Sequence, residues 1–367
     1  MSMRTRSMAV ALVVLSVSQS GCATDPVPTS VQNRVLEPAR MAENAGNYER
    51  AMVEYKRVDG IPFAQYRIGR MYEKGLGTAQ DDAQAAQWYR PAADAGYLWA
   101  QIALANMYDQ GRGVSQDFEA ALILFLEASE FEPSHAYRLK PPRPPAVATY
   151  RAGEMIERGR GVPANPAAAA GYYQTAANAG NPDAQFALAE LYRKGSGLPA
   201  DPAEAERWYA AAAKGYVGAT GGRAQERLGQ MYIDGRGVPK DVMRGVLLLE
   251  GLAQGGRTST QIRLALLYER GADGLPADQG RAVAYYRMAA DAGNAAALYE
   301  LARLHATGNG VQLDGRRAVE LYQQAAAAGE RRAYRKLGDL YADGEVVPQD
   351  YAEANKWFAK DAEDGDG

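Results

Sequence analysis

The chain has 367 residues, a formal net charge of −3, two histidines and a single cysteine. This charge balance argues against a nucleic-acid binder, which would carry a strongly basic face, and one cysteine excludes an internal disulfide framework. Its apolar content of 47% fits a soluble α-rich chain that is stabilised by packing rather than by crosslinks.

Arg4 and Arg6 make a positive start, residues 8–17 form a short apolar run, and Ser20-Gly21-Cys22 follows. Such a run is too short to span a bilayer, which takes about 20 residues. Residues 1–22 resemble a bacterial lipoprotein signal in which Cys22 becomes the acylated N-terminus, with Gln19 in place of the usual leucine. An ordinary secretory signal cut nearby, for instance after Ala23, is the alternative, and both routes lead to export. The lipoprotein resemblance further implies that Ala23, rather than aspartate, sends the protein to the outer membrane.

Residues 23–38 contain three prolines and few large apolar side chains, so they read as an extended tether. Residues 39–60 resemble a tetratricopeptide hairpin with Gly46-Asn47-Tyr48 at the turn, a divergent unit that would cap the stack behind it.

Residues 61–367 are organised by one pattern, clearest over 184–215, AQFALAELYRKGSGLPADPAEAERWYAAAAKG. Two short helices joined by a glycine loop recur eight times, opening at Ala64, Ala100, Ala148, Ala184, Ala224, Thr260, Ala297 and Ala333. Four of the seven spacings are 36 residues and the others are 48, 40 and 37. Such a period is the signature of a solenoid, because one copy cannot bury its apolar face alone. In the first helix Ala184, Leu188, Leu191 and Tyr192 make one helical stripe, and in the second Trp208 and Tyr209 stand among alanines that allow close helix approach.

Gly195-x-Gly197 recurs at Gly75, Gly111, Gly159, Gly235 and Gly308, where positive φ or close backbone approach lets the chain reverse. A phosphate loop would follow a strand, and these pairs follow a helix. Asp81, Asp117, Asn165, Asp201, Asp241, Asp278, Asp314 and Asp350 each precede a second helix. That position makes them capping residues rather than metal ligands or acid catalysts. Most copies close on glycine, at Gly96, Gly180, Gly215, Gly255, Gly293, Gly329 and Gly365.

These features together resemble the Sel1-like repeat, a relative of the tetratricopeptide repeat, most closely in QERLGQMYIDGRG at 225–237 and in Trp88-Tyr89, Trp208-Tyr209 and Trp357-Phe358. The resemblance implies an all-α fold, a right-handed α-solenoid of helical hairpins that serves as a protein-interaction scaffold. Copy six departs from the pattern with Gly271-Ala-Asp-Gly274, copy eight with Val346 for its second glycine, and copy two by lacking the closing glycine.

The 48-residue spacing locates an insertion within residues 129–147. Pro141, Pro142, Pro144 and Pro145 argue against helix there, and Arg138, Lys140 and Arg143 make it basic. It reads either as a tolerated loop enlargement or as a preformed extended segment that docks a partner. Residues 217–223 read as a smaller, glycine-rich flexible joint, and 361–367 as an acidic end.

No constellation calls for catalysis, a metal or a cofactor. His305 occupies a position that is tyrosine in most copies and reads as core, while His135 lies in the insertion. Neither has a second ligand at metal spacing, and no nucleophile elbow is present. One row stands out three residues past each opening position: Arg67, Arg151, Arg227, Arg263 and Lys336. The row would form either a basic ladder for an acidic polysaccharide or acidic protein, or a salt-bridged solvated face diluted by Glu154, Glu190 and Asp339.

The leading expectation is a non-enzymatic periplasmic scaffold, held to the outer membrane by a lipid on Cys22. By resemblance to alginate-secretion scaffold lipoproteins, it would serve exopolysaccharide export beside a porin or a polysaccharide-modifying enzyme. The alternatives are a soluble periplasmic regulator of a membrane sensor and, third, a hydrolase like the cysteine-rich relatives, whose paired cysteines are missing here.

Overall fold

The computed structural model describes residues 30–130, 144–215 and 219–363. Cys22, His135, Arg138, Lys140, Arg143 and Gly365 lie outside them. The described residues form helices in antiparallel pairs, and none is long and apolar enough to cross a membrane. The chain divides into two compact units, residues 1–216 and 217–367.

The first unit contains α1 (Ser30–Asn44), α2 (Tyr48–Lys56), α3 (Pro62–Lys74), α4 (Asp82–Asp94), α5 (Leu98–Gln110), α6 (Phe118–Ser129), α7 (Pro144–Arg158), α8 (Pro166–Asn178), α9 (Pro182–Lys194) and α10 (Pro202–Gly215). The second contains α11 (Ala219–Asp234), α12 (Val242–Gln254), α13 (Thr258–Arg270), α14 (Gln279–Asp291), α15 (Ala295–Thr307), α16 (Gly315–Ala327), α17 (Arg332–Asp343) and α18 (Tyr351–Glu363). Within each unit every helix packs on the next in sequence, the arrangement of an α-solenoid.

The opening residue of each copy, alanine in all but Thr260, is buried together with the residue four further on, as with Ala64 and Ile68 or Ala184 and Leu188. Second helices bury Tyr89, Tyr173, Tyr209, Tyr286 and Tyr322 among alanines. The expected caps are in place: Asp81 accepts from the Gln84 amide at 2.9 Å, and Asp117 from the Glu119 and Ala120 amides at 3.0 Å. The backbone amide of each cap also donates to the carbonyl eight residues past the opening, such as Asp81 to Tyr72 at 3.0 Å and Asp314 to His305 at 3.0 Å.

The two loop glycines have different tasks. Gly75 ends α3 in the left-handed region, at φ 65° and ψ 36°. The second one faces a neighbour: a Cβ on Gly113 would stand 2.2 Å from the Asp82 carbonyl carbon, in the first turn of the preceding copy's second helix. In copy eight Val346 takes that place, and the missing glycine reappears across the contact. A Cβ on Gly315 would meet the Val346 carbonyl oxygen at 2.0 Å.

Four local expectations are corrected. Residues 30–38, read as tether, belong to α1, because Leu36 and Ala39 are buried against Ala51, Met52 and Tyr55. Pro144 and Pro145 open α7, where a missing backbone N–H costs no helical bond. Residues 219–223, read as flexible joint, are the first turns of α11, with Thr220 buried. The closing glycine of copy five is Gly256 at φ 84°, whereas Gly255 keeps φ −72°.

Candidate functional site

The basic row lies on the first helices, but these cations do not form one free track. Arg67 forms an ion pair with Glu43, which also accepts from the Tyr55 hydroxyl at 2.8 Å. Burial and the neighbouring Arg70 hold the Arg67 guanidinium below its usual range. Arg151 donates to Asp109 at 2.9 Å and pairs with Glu154. Arg227 is exposed and engaged by a neighbouring group, and Lys336 lies 3.5 Å from Asp339. Arg263 has no ion pair among the described residues and lines a cavity.

The arginines of the first unit belong to a device that spacing within one copy does not reveal. An acid near the end of a first helix collects a tyrosine from its own hairpin and an arginine from the next. Glu73 accepts from Tyr89 at 2.8 Å and from Arg112 at 3.1 Å, the arginine lying between two loop glycines. Asp109, 4% exposed, accepts from Arg151 and from Arg160 at 3.1 Å, and here Phe125 replaces the tyrosine. In the second unit Glu269 holds Tyr286 at 2.9 Å and pairs with Arg303. The recurring Gly-Arg-Gly, with an acid nine residues past the opening position, was the available sequence signal.

Burial raises the Glu73 carboxyl, but hydrogen bonds from Tyr89 and Arg112, with Lys74 nearby, outweigh it and leave the group below the usual range. The tyrosines move the other way. Burial pushes the Tyr55, Tyr150 and Tyr285 hydroxyls up to about 12, and Tyr89 and Tyr173 are raised by burial and then by their glutamate partners. An unfolded chain therefore gives up these protons first. Stability is retained below the ordinary tyrosine value of about 10 and should fall as pH rises from about 10 to about 12. Helical circular dichroism should be lost together with the rise of tyrosinate absorbance, and titration of all tyrosines in a folded chain would contradict this.

Two cavities lie in the second unit. One, of about 490 Å³, runs between the first helices α11 and α13. Ile233, Ile262, Leu266 and Leu267 give it an apolar floor, with Arg263 and Asp234 at hand. The other, of about 470 Å³, lies among α14, α15 and α16 and contains His305. That residue was expected in the core; it is half-buried instead and lines a polar space. Among the described residues, no three His, Cys, Asp or Glu side chains are grouped to hold a metal ion.

Stacked two-helix repeats with cavities along their helix faces define a class, the α-solenoid binding proteins. Eight segments of the chain match the Sel1 repeat, at residues 62–97, 100–130, 146–181, 182–216, 222–256, 258–294, 295–330 and 331–366. The chain belongs to the Sel1-repeat family. It is similar in structure to a Sel1 repeat protein from Oxalobacter formigenes, with 25% identity, 89% of this chain and 93% of that one covered, and a TM-score of 0.60. It is also similar to c5321, a protective antigen of uropathogenic Escherichia coli strains with an SLR fold, at 26% identity, coverage of 90% and 76%, and a TM-score of 0.58. No curated protein sequence matches the chain. Sel1-repeat proteins mediate protein–protein interactions, and their fold is typically a non-catalytic scaffold.

Proposed function

We infer that this chain is a non-enzymatic scaffold of the cell envelope that holds protein partners against the faces of its first helices. A lipid on Cys22 anchors it to the outer membrane on the periplasmic side, and exopolysaccharide secretion is its setting, with a porin or a polysaccharide-modifying enzyme as partner. The observation that carries the interaction reading is the α11–α13 groove, whose half-buried Ile262 and Leu266 lie beside the unpaired Arg263. An apolar floor with one available cation suits a partner segment that combines apolar anchors with an acidic residue. The apolar run and Ser20-Gly21-Cys22 support the anchor.

The test is photocrosslinking in intact cells from a reactive side chain placed at Leu266, followed by mass spectrometry of the captured protein and of the mature N-terminus. A porin or a polysaccharide-modifying enzyme, with acylated Cys22, supports the scaffold. A sensor kinase, with an unacylated N-terminus near Thr24, replaces it with a soluble regulator.

A further inference from the structure

We propose that the cavity around His305 is a binding site for a small hydroxylated carboxylic acid, such as a sugar acid. The site follows from a comparison of the chain with itself. In the N-terminal hairpin and in copy one, the cation just after the second-helix tyrosine donates to a tyrosine on the following first helix: Lys56 to Tyr72 at 3.1 Å, and Arg90 to Tyr108 at 3.0 Å. Arg287 follows Tyr286 in the same way, but the next copy offers His305 at the tyrosine position. The imidazole is shorter and carries no hydroxyl at that reach. Arg287 has no hydrogen-bond or ion-pair partner among the described residues, and the buried Nδ1 of His305 has none. The space left is about 470 Å³, within the range of small-molecule sites, roughly 300–1,000 Å³.

The lining selects the ligand's chemistry. The Arg287 guanidinium presents a planar fork that matches a carboxylate. Arg317, held by Glu320 at 2.9 Å, adds positive charge to the lining from α16. Asp291 has no ion pair among the described residues and stands in the same cavity, where it opposes a second negative charge on the ligand and accepts hydrogen bonds from hydroxyls. Gln324 donates and accepts. A monoanion with several hydroxyls satisfies this set, and a phosphate dianion does not. The proposal does not depend on the protein-scaffold reading, since this cavity involves second helices and the groove above does not.

Glucuronate is the probe, with glucose and inorganic phosphate as comparators, titrated into the full chain. Only two histidines are present, so the His305 ring resonance is identified by difference in His135→Gln. Glucuronate should shift it saturably, glucose should not, and phosphate should bind more weakly. By calorimetry Arg287→Gln should weaken glucuronate at least about tenfold, the loss of a charge-assisted bidentate pair. His305→Tyr restores the repeat's own residue, so it should abolish binding without lowering Tm. An absent shift, an equal response to glucose, tighter phosphate binding, or unchanged affinity in Arg287→Gln would each overturn the assignment.

Discussion

Gly113→Ala should lower the unfolding free energy by about 3 kcal/mol or more, among the largest effects of any single methyl group in this chain. Two costs add. An alanine at φ 66° sits in the left-handed region, and its Cβ would stand 2.2 Å from both the carbonyl carbon and oxygen of Asp82. Neither backbone can retreat without opening the contact between consecutive copies. Gly96 separates the two terms, because it has φ 78° and no atom within 4 Å of its added Cβ. Gly96→Ala should cost only the backbone part, about 1–2 kcal/mol. Urea midpoints of the two variants, read with the slope, measure the difference. Equal losses would remove the close approach as a source of stability.

Asp109→Ala should cost about 2–3 kcal/mol, although no cap and no large apolar group is lost. The carboxylate is 4% exposed and is shared by Arg151 and Arg160, so its removal takes an acid from two guanidinium groups at once. Arg151 keeps Glu154, and Arg160 is 37% exposed and can be hydrated, which bounds the loss. Arg160→Ala alone should cost under about 1 kcal/mol. Thermal melts of both variants decide the matter. If they fall equally, Asp109 is an ordinary half of one pair and not the node of two.

These ties also explain which parts of the molecule the sequence discloses. Burial at Ala64 and Ile68, and capping by Asp81 and Asp117, are settled within one helix or one turn, so a 3.6-residue period and a single position suffice. The helical state of residues 30–38 was hidden because Pro38 and Pro28 suggested extension, while the burial of Leu36 depends on α2. The Arg160–Asp109 tie joins residues 51 apart. Only the stacking of one copy on the next brings them together. The same blindness made Arg67 and Arg151 look available for a ligand when each was already committed to an acid on the preceding hairpin, Glu43 of the N-terminal unit and Asp109 of copy two. Where no arginine follows, the tie is absent: Glu157 holds Tyr173 at 2.7 Å, and the next loop carries Ser196.

The exchange of glycine between Gly315 and Val346 bears on how such an array can be rebuilt. The joints made by Gly113, Gly161 and Gly197 in the first unit share one fit, with the small residue in the later copy, and a module cut from one of these places should seat in another. The last two copies use the reverse fit, with the small residue in the earlier one. Grafted behind copy one, the final module would drive the Val346 carbonyl into a side-chain-bearing residue at the place of Asp82. Behind copy seven it finds a hydrogen atom. Lengthening or shortening the array by whole modules is therefore open to recombination at the joints that share the Gly113 fit and closed at the final seam, where the two modules must travel together.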